Sequence, residues 1–106
     1  MSKYRVILTQ NVLNDLEDIS SYIENILHSP LAALNLKIKL TKAALSLDEK
    51  PYRGSKYSNS LKYIKNKEIR KLVIENYLIF YYVDEYEKEV NVVTIHHRLK
   101  GKVEKL

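Results

Sequence analysis

The chain has 106 residues, 18 Lys+Arg against 13 Asp+Glu for a formal net charge of +5, nine Tyr, two Gly, two Pro and neither Cys nor Trp. The length suits one domain spanning residues 1–106, and the lack of Cys excludes disulfide staples and Cys-ligated zinc. A hydrophobic share of 45% excludes disorder of the whole chain, no apolar run reaches the roughly 18–20 residues that span a bilayer, and the N-terminal apolar stretch is too short for a secretory signal; a cytoplasmic protein without a membrane partner is expected.

Taken in chain order, Lys3–Leu8 alternates Tyr4, Val6 and Leu8 against Lys3, Arg5 and Ile7, the period of a strand. Thr9 or Asn11 can cap a following helix through a side-chain oxygen. Its stripe Val12, Leu16, Ile19, Ile23 and Ile26 steps by three and four, its acids sit in the early turns, and it should stop near His28. Ser29-Pro30 restarts the chain with a cap and a first-turn proline. The spacing predicts a second helix to about Leu47, with Leu31, Leu34, Ile38, Thr41 and Leu45 on its apolar stripe and Leu36, Leu40 and Leu47 widening it. The short connection makes the two helices an antiparallel hairpin.

From Lys50 to Asn66 the chain is basic and weakly periodic, with Leu61 and Ile64 expected to tuck in around a short helical turn. Three β-rich runs follow, Ile69–Ile74, Tyr77–Val83 and Val90–His96, separated by gaps short enough for hairpins. The predicted fold is α+β: an N-terminal strand, a helical hairpin, then a three-stranded antiparallel meander, both helices on one face of the sheet.

Charge is concentrated in two places. Lys50–Lys71 carries a net +7 and His96–Leu106 a net +3, leaving −5 for the remainder. A basic half beside an acidic half points to a polyanion or an acidic protein as partner. Dinucleotide, P-loop, nucleophile-elbow and histidine–carboxylate zinc patterns are absent, so no metal or cofactor is expected. What could carry chemistry is cationic. His96 or His97 can act as acid or base, Arg98, Lys65, Lys67 and Arg70 can bind phosphate, and Tyr57, Tyr63 or Tyr82 can stack bases. Lys71, Arg53 and Lys100 extend that target-binding set. In a meander, however, the start of the second strand lies away from His96–Arg98, so Arg70 is not expected to touch Arg98. The bland roles are packing for one histidine of the pair and core for Tyr77–Val83.

The order Tyr4-Arg5-Val6-Ile7-Leu8-Thr9, Asp15-Leu16-Glu17-Asp18-Ile19, Tyr22-Ile23 and Pro30-x-Ala32-Ala33 resembles the N-terminal half of RelE/ParE toxins. The rest of the chain extends the resemblance with Leu47-x-x-x-Pro51-x-Arg53-Gly54, Ile69-Arg70-Lys71-Leu72, Asn76–Val83 and Ile95-His96-His97-Arg98. Membership would imply a growth-inhibiting toxin of a type II toxin–antitoxin module, neutralised by a cognate antitoxin and binding operator DNA together with it. RelE-type members cleave mRNA on the ribosome, with Arg98, His96, His97 and Arg70 as the catalytic candidates here. ParE-type members bind DNA gyrase without chemistry of their own. Leu78 stands where RelE-like enzymes carry an arginine, and no tyrosine follows Arg98. With the regular helix hairpin, these departures lean the resemblance toward ParE. A basic nucleic-acid-binding module without toxicity is the alternative that rests on charge alone.

Overall fold

The computed structural model describes residues 3–57, 63–64 (backbone alone) and 67–98. β1 (Arg5–Leu8) leads through Thr9 into α1 (Gln10–Asn25), and the Thr9 hydroxyl accepts from the Val12 N–H at 3.3 Å. Thr9 is therefore the cap, and Asn11 sends its side-chain amide elsewhere. Val12, Leu16 and Ile23 are buried, with Ile19 packed beside them. The helix stops three residues before His28, which takes a φ of 54°, so Ile26 falls beyond the helix and is exposed. None of its acids lies in the first turn, so the dipole argument for them does not apply.

α2 (Pro30–Leu45) begins with Pro30 and runs into a 3₁₀ turn, Ser46–Asp48. Ser29 makes no side-chain cap; its carbonyl accepts from Ala33 N–H at 3.0 Å. The expected apolar stripe is turned outward. Leu31, Leu34, Ile38 and Leu45 are exposed, and the helix is buried through Ala33, Leu40 and Ala44, followed by Leu47. The reason is steric as well as hydrophobic: α2 is apolar on both sides, and the small Ala33 and Ala44 allow close approach where leucines would hold the layers apart.

The basic segment contains more strand than its composition predicts. β2 (Ser55–Lys56) joins the main sheet, while β3 (Tyr63–Ile64) and β4 (Lys67–Glu68) form a separate hairpin. Ile64 thus lies in a strand and not in a helical turn, and Leu61 lies outside the described residues. β5 (Arg70–Ile74), β6 (Tyr77–Asp84) and β7 (Glu89–His97) form the antiparallel meander. The five-stranded order is β1-β7-β6-β5-β2, with β1 parallel to β7 and the other pairings antiparallel. The fold is α+β with both helices on one face.

Both faces of the sheet are packed. On the helix side, Val12, Leu16, Leu40 and Leu47 meet Ile79, Tyr81, Val90 and Val92. On the other side, Ile69, Phe80 and Tyr82 form a smaller core with Tyr57, Leu78 and Val93. Pairing passes from Phe80↔Thr94 to Tyr81↔Val92, so Val93 is the extra residue of a β-bulge. The start of α1 is fastened there. The Val93 carbonyl accepts from the Asn11 amide at 2.9 Å and the Thr9 hydroxyl at 3.3 Å. The buried Asp15 carboxylate accepts from Thr94 Oγ1 at 2.7 Å and Ile95 N–H at 2.9 Å.

Candidate functional site

The strand register distributes the basic candidates between two ends of the sheet. At one end Arg70 pairs with Tyr81, which pairs with Val92; at the other, Val73 pairs with Leu78 and Leu78 with His96. Arg70 is therefore about 10 Å along the strands and about 10 Å across them from His96, given the ordinary strand rise and spacing. Those two side chains and Arg98 do not converge on one phosphate-sized position.

At the first end, Arg70 is 15% exposed and engaged in structure. Its Nη2 donates to the carbonyls of Gly54 at 2.7 Å and Tyr52 at 3.3 Å, and its guanidinium carbon lies 5.1 Å from the Tyr52 ring centroid. Nη1 is 3.7 Å from Glu68 Oε1. Arg70 thereby holds the Pro51–Gly54 turn against the sheet, with its donor fork turned to backbone oxygens. Gly54 N–H donates to the buried Tyr81 hydroxyl at 3.0 Å. Arg53, exposed, donates to Ser46 Oγ at 2.6 Å. Lys67 lies 3.8 Å from Asp84, and the half-buried Lys71 sits opposite Phe80.

Beside this turn lies a cluster with no local signal in the sequence, since its members are dispersed over more than 80 positions. Glu85 accepts from Tyr4 at 2.8 Å, from Lys88 at 2.8 Å and from the Tyr52 hydroxyl. Donation from Lys88, then Tyr52 and Tyr4, pulls the Glu85 carboxyl down to about 2. Burial, reinforced by the Glu85 hydrogen bond, pushes the Tyr52 phenol up to about 12. Tyr4 is raised as well, first through its bond to Glu85. Both phenols therefore hold their protons at neutral pH, and neither is a general base there.

At the second end, His96 meets Phe80 edge-on at 6.2 Å and His97 meets Tyr77 edge-on at 5.1 Å. Phe80 belongs to the outer core and Tyr77 packs on the helix-side core, so the histidines lie on opposite faces. Arg98 directly follows β7, has an exposed side chain, and donates its backbone N–H to Asn76 O at 2.7 Å. Among the base-stacking candidates, Tyr57 packs edge-on against Phe80 at 4.9 Å and Tyr82 is buried. Lys65, Lys100 and the side chain of Tyr63 lie outside the described residues. Among the described residues, no three His, Asp or Glu side chains are grouped as metal ligands would be.

The model of the family described as "ParE toxin of type II toxin–antitoxin system, parDE" matches residues 6–100. Comparison with curated protein sequences finds no match. Among solved structures, the chain is similar to one from the chromosomal ParDE toxin–antitoxin system of P. aeruginosa, with a TM-score of 0.71, 18% identity, and coverage of 90% of this chain and 96% of that one. It is also similar to one from the toxin–antitoxin complex RelBE2 of Mycobacterium tuberculosis, with a TM-score of 0.66, 19% identity and coverage of 92% and 94%. The archaeal RelE–RelB complex of Pyrococcus horikoshii gives 0.59, 14% identity, 93% and 99%. At these identities the structural likenesses carry the fold.

Proposed function

The chain belongs to the ParE toxin family of type II toxin–antitoxin systems, and from that premise we propose that it inhibits DNA gyrase by binding, is neutralised by a cognate antitoxin, and joins that antitoxin on operator DNA. The single observation that supports binding over cleavage is the separation of Arg70 from His96 and Arg98 across the sheet. Metal-free cleavage of a phosphodiester needs a base, an acid and cations around one phosphate. Here Arg70 is turned to the carbonyls of Gly54 and Tyr52. The antitoxin is supported by the solved relatives, which are toxin–antitoxin complexes.

Incubating gyrase, plasmid and ATP with the protein should yield linearised plasmid, and induction in cells should trigger the SOS response. Unaltered supercoiling at micromolar protein would refute this reading. A second reading, ribosome-dependent mRNA cleavage, is favoured by Arg98 standing exposed next to His97 and two residues from His96. It predicts cut mRNA on programmed ribosomes, lost in Arg98→Ala.

A further inference from the structure

β7 does not keep one alternation along its length. Val90 and Val92 face the helices, Val93 faces the outer core, and Ile95 and His97 face the helices again. The step from Val92 to Ile95 is odd because Val93 is the extra residue of the bulge. Side chains alternate with a period of two, so one inserted residue exchanges the faces of everything after it. With the bulge, His97 pairs with Tyr77 and meets its ring at 5.1 Å, while His96 pairs with Leu78 and meets Phe80 at 6.2 Å. Without it, the pairing Tyr81↔Val92 would continue to Tyr77↔His96, and the two histidines would trade faces. Arg98 follows in the bulged register, its N–H donating to Asn76 O at 2.7 Å, so its direction depends on the same count.

The bulge is held from the other end of the chain. β1 pairs with β7 as far as Leu8↔Val92, so the backbone groups of that edge beyond Val92 need other partners. The cap and first turns of α1 supply them. Asn11 and Thr9 donate to the Val93 carbonyl, and Asp15, 6% exposed, accepts from the Ile95 N–H and the Thr94 hydroxyl. In the unbulged register Val93, Thr94 and Ile95 would reverse their facing, and these contacts would be lost. We infer that Asp15, assisted by Thr9 and Asn11, is a positioning residue: it locks the bulge that decides which histidine, and which direction of Arg98, the end of β7 presents to the target. Bulges beside functional sites re-aim side chains in this way. The inference rests on the toxin reading above and adds to it a buried residue that acts on the target through β7 alone.

The test reads the register and the effect on cells separately, using the whole chain. In the wild type, nuclear Overhauser cross-peaks should join His97 to the Tyr77 ring and His96 to the Phe80 ring. In Asp15→Ala the His97–Tyr77 peaks should weaken and His96–Tyr77 peaks should appear. Growth inhibition at equal amounts of folded protein should fall by about tenfold, the worth of one charged contact to the target. Asp15→Asn keeps an acceptor and should restore both readouts. Val12→Ala removes buried packing from the same helix without touching the bulge, so its inhibition should follow the folded fraction alone. If Asp15→Ala does not fold, Asn11→Ala, at a half-buried position, should show the same two changes in milder form. Wild-type cross-peaks and wild-type inhibition in the alanine variants would overturn the positioning role and leave the toxin reading intact. Lost inhibition with unchanged cross-peaks would overturn the bulge as its means. A wild-type chain that does not inhibit growth would overturn both.

Discussion

A β-carbon at Gly54 would lie 2.7 Å from the Tyr81 hydroxyl, 2.9 Å from the Lys71 carbonyl carbon, and closer still to the Lys71 carbonyl oxygen. Two of these three are backbone atoms of β5, which cannot rotate away. Gly54→Ala should therefore destabilise the fold by about 1–3 kcal/mol through overpacking, read as a lower urea midpoint; an unchanged midpoint would disprove the close approach. Glu85 makes a different kind of prediction. Its folded value of about 2 lies below the ordinary 4.5, so it adds stability above pH 4.5 that is lost as the pH falls from there toward 2. Glu85→Gln removes this contribution, and the variant's melting temperature should drop less than the wild type's between pH 7 and pH 3. Equal drops would show that the Tyr4, Tyr52 and Lys88 contacts do not hold the carboxylate in solution.

The joint between α1 and β7 shows how elements fix each other. A bulge leaves backbone groups outside the strand ladder, and the first turns of α1 bring Thr9, Asn11 and Asp15 to meet them. Asp15→Ala should cost about 1–3 kcal/mol by leaving the buried Ile95 N–H and Thr94 hydroxyl without their acceptor, whereas Asp15→Asn should cost less because an amide oxygen still accepts. Chemical denaturation of both variants measures the difference, and equal losses would show that charge, not the acceptor, is what matters. A signal for this residue was present in the sequence. Asp15 lies on the apolar stripe with Val12, Leu16 and Ile19, where a carboxylate needs a buried partner. The meander and α1 were legible because each has one dominant period. α2 has two apolar seams, and periodicity alone has no means of choosing between them; the choice is made by Ala33 and Ala44 fitting against their neighbours. β2, β3 and β4 are two residues each, below the length at which alternation can be seen.

Across the whole molecule, the described cations include ones that build, such as Arg70, and ones that face outward, such as Arg98. Sequence places Arg70 and Arg98 in one class, because both adjoin a strand of the meander. Topology separates them, setting Arg70 under the Tyr52–Gly54 turn and Arg98 at the exposed end of β7. Removing each should then fail in a different assay. Arg70→Ala should lower stability by about 2–3 kcal/mol, since a charged donor to two backbone oxygens and a ring contact are lost together. Its effect on growth inhibition should follow the folded fraction alone, and be recovered at a lower induction temperature. Arg98→Ala should leave stability within about 0.5 kcal/mol, as exposed substitutions do, and weaken target engagement several-fold at every temperature. Melting temperatures and growth-inhibition curves at two temperatures separate the pair. If Arg98→Ala inhibits growth like the wild type, the exposed end of β7 is not where the target binds, and the basic surface must act through the segment preceding β5.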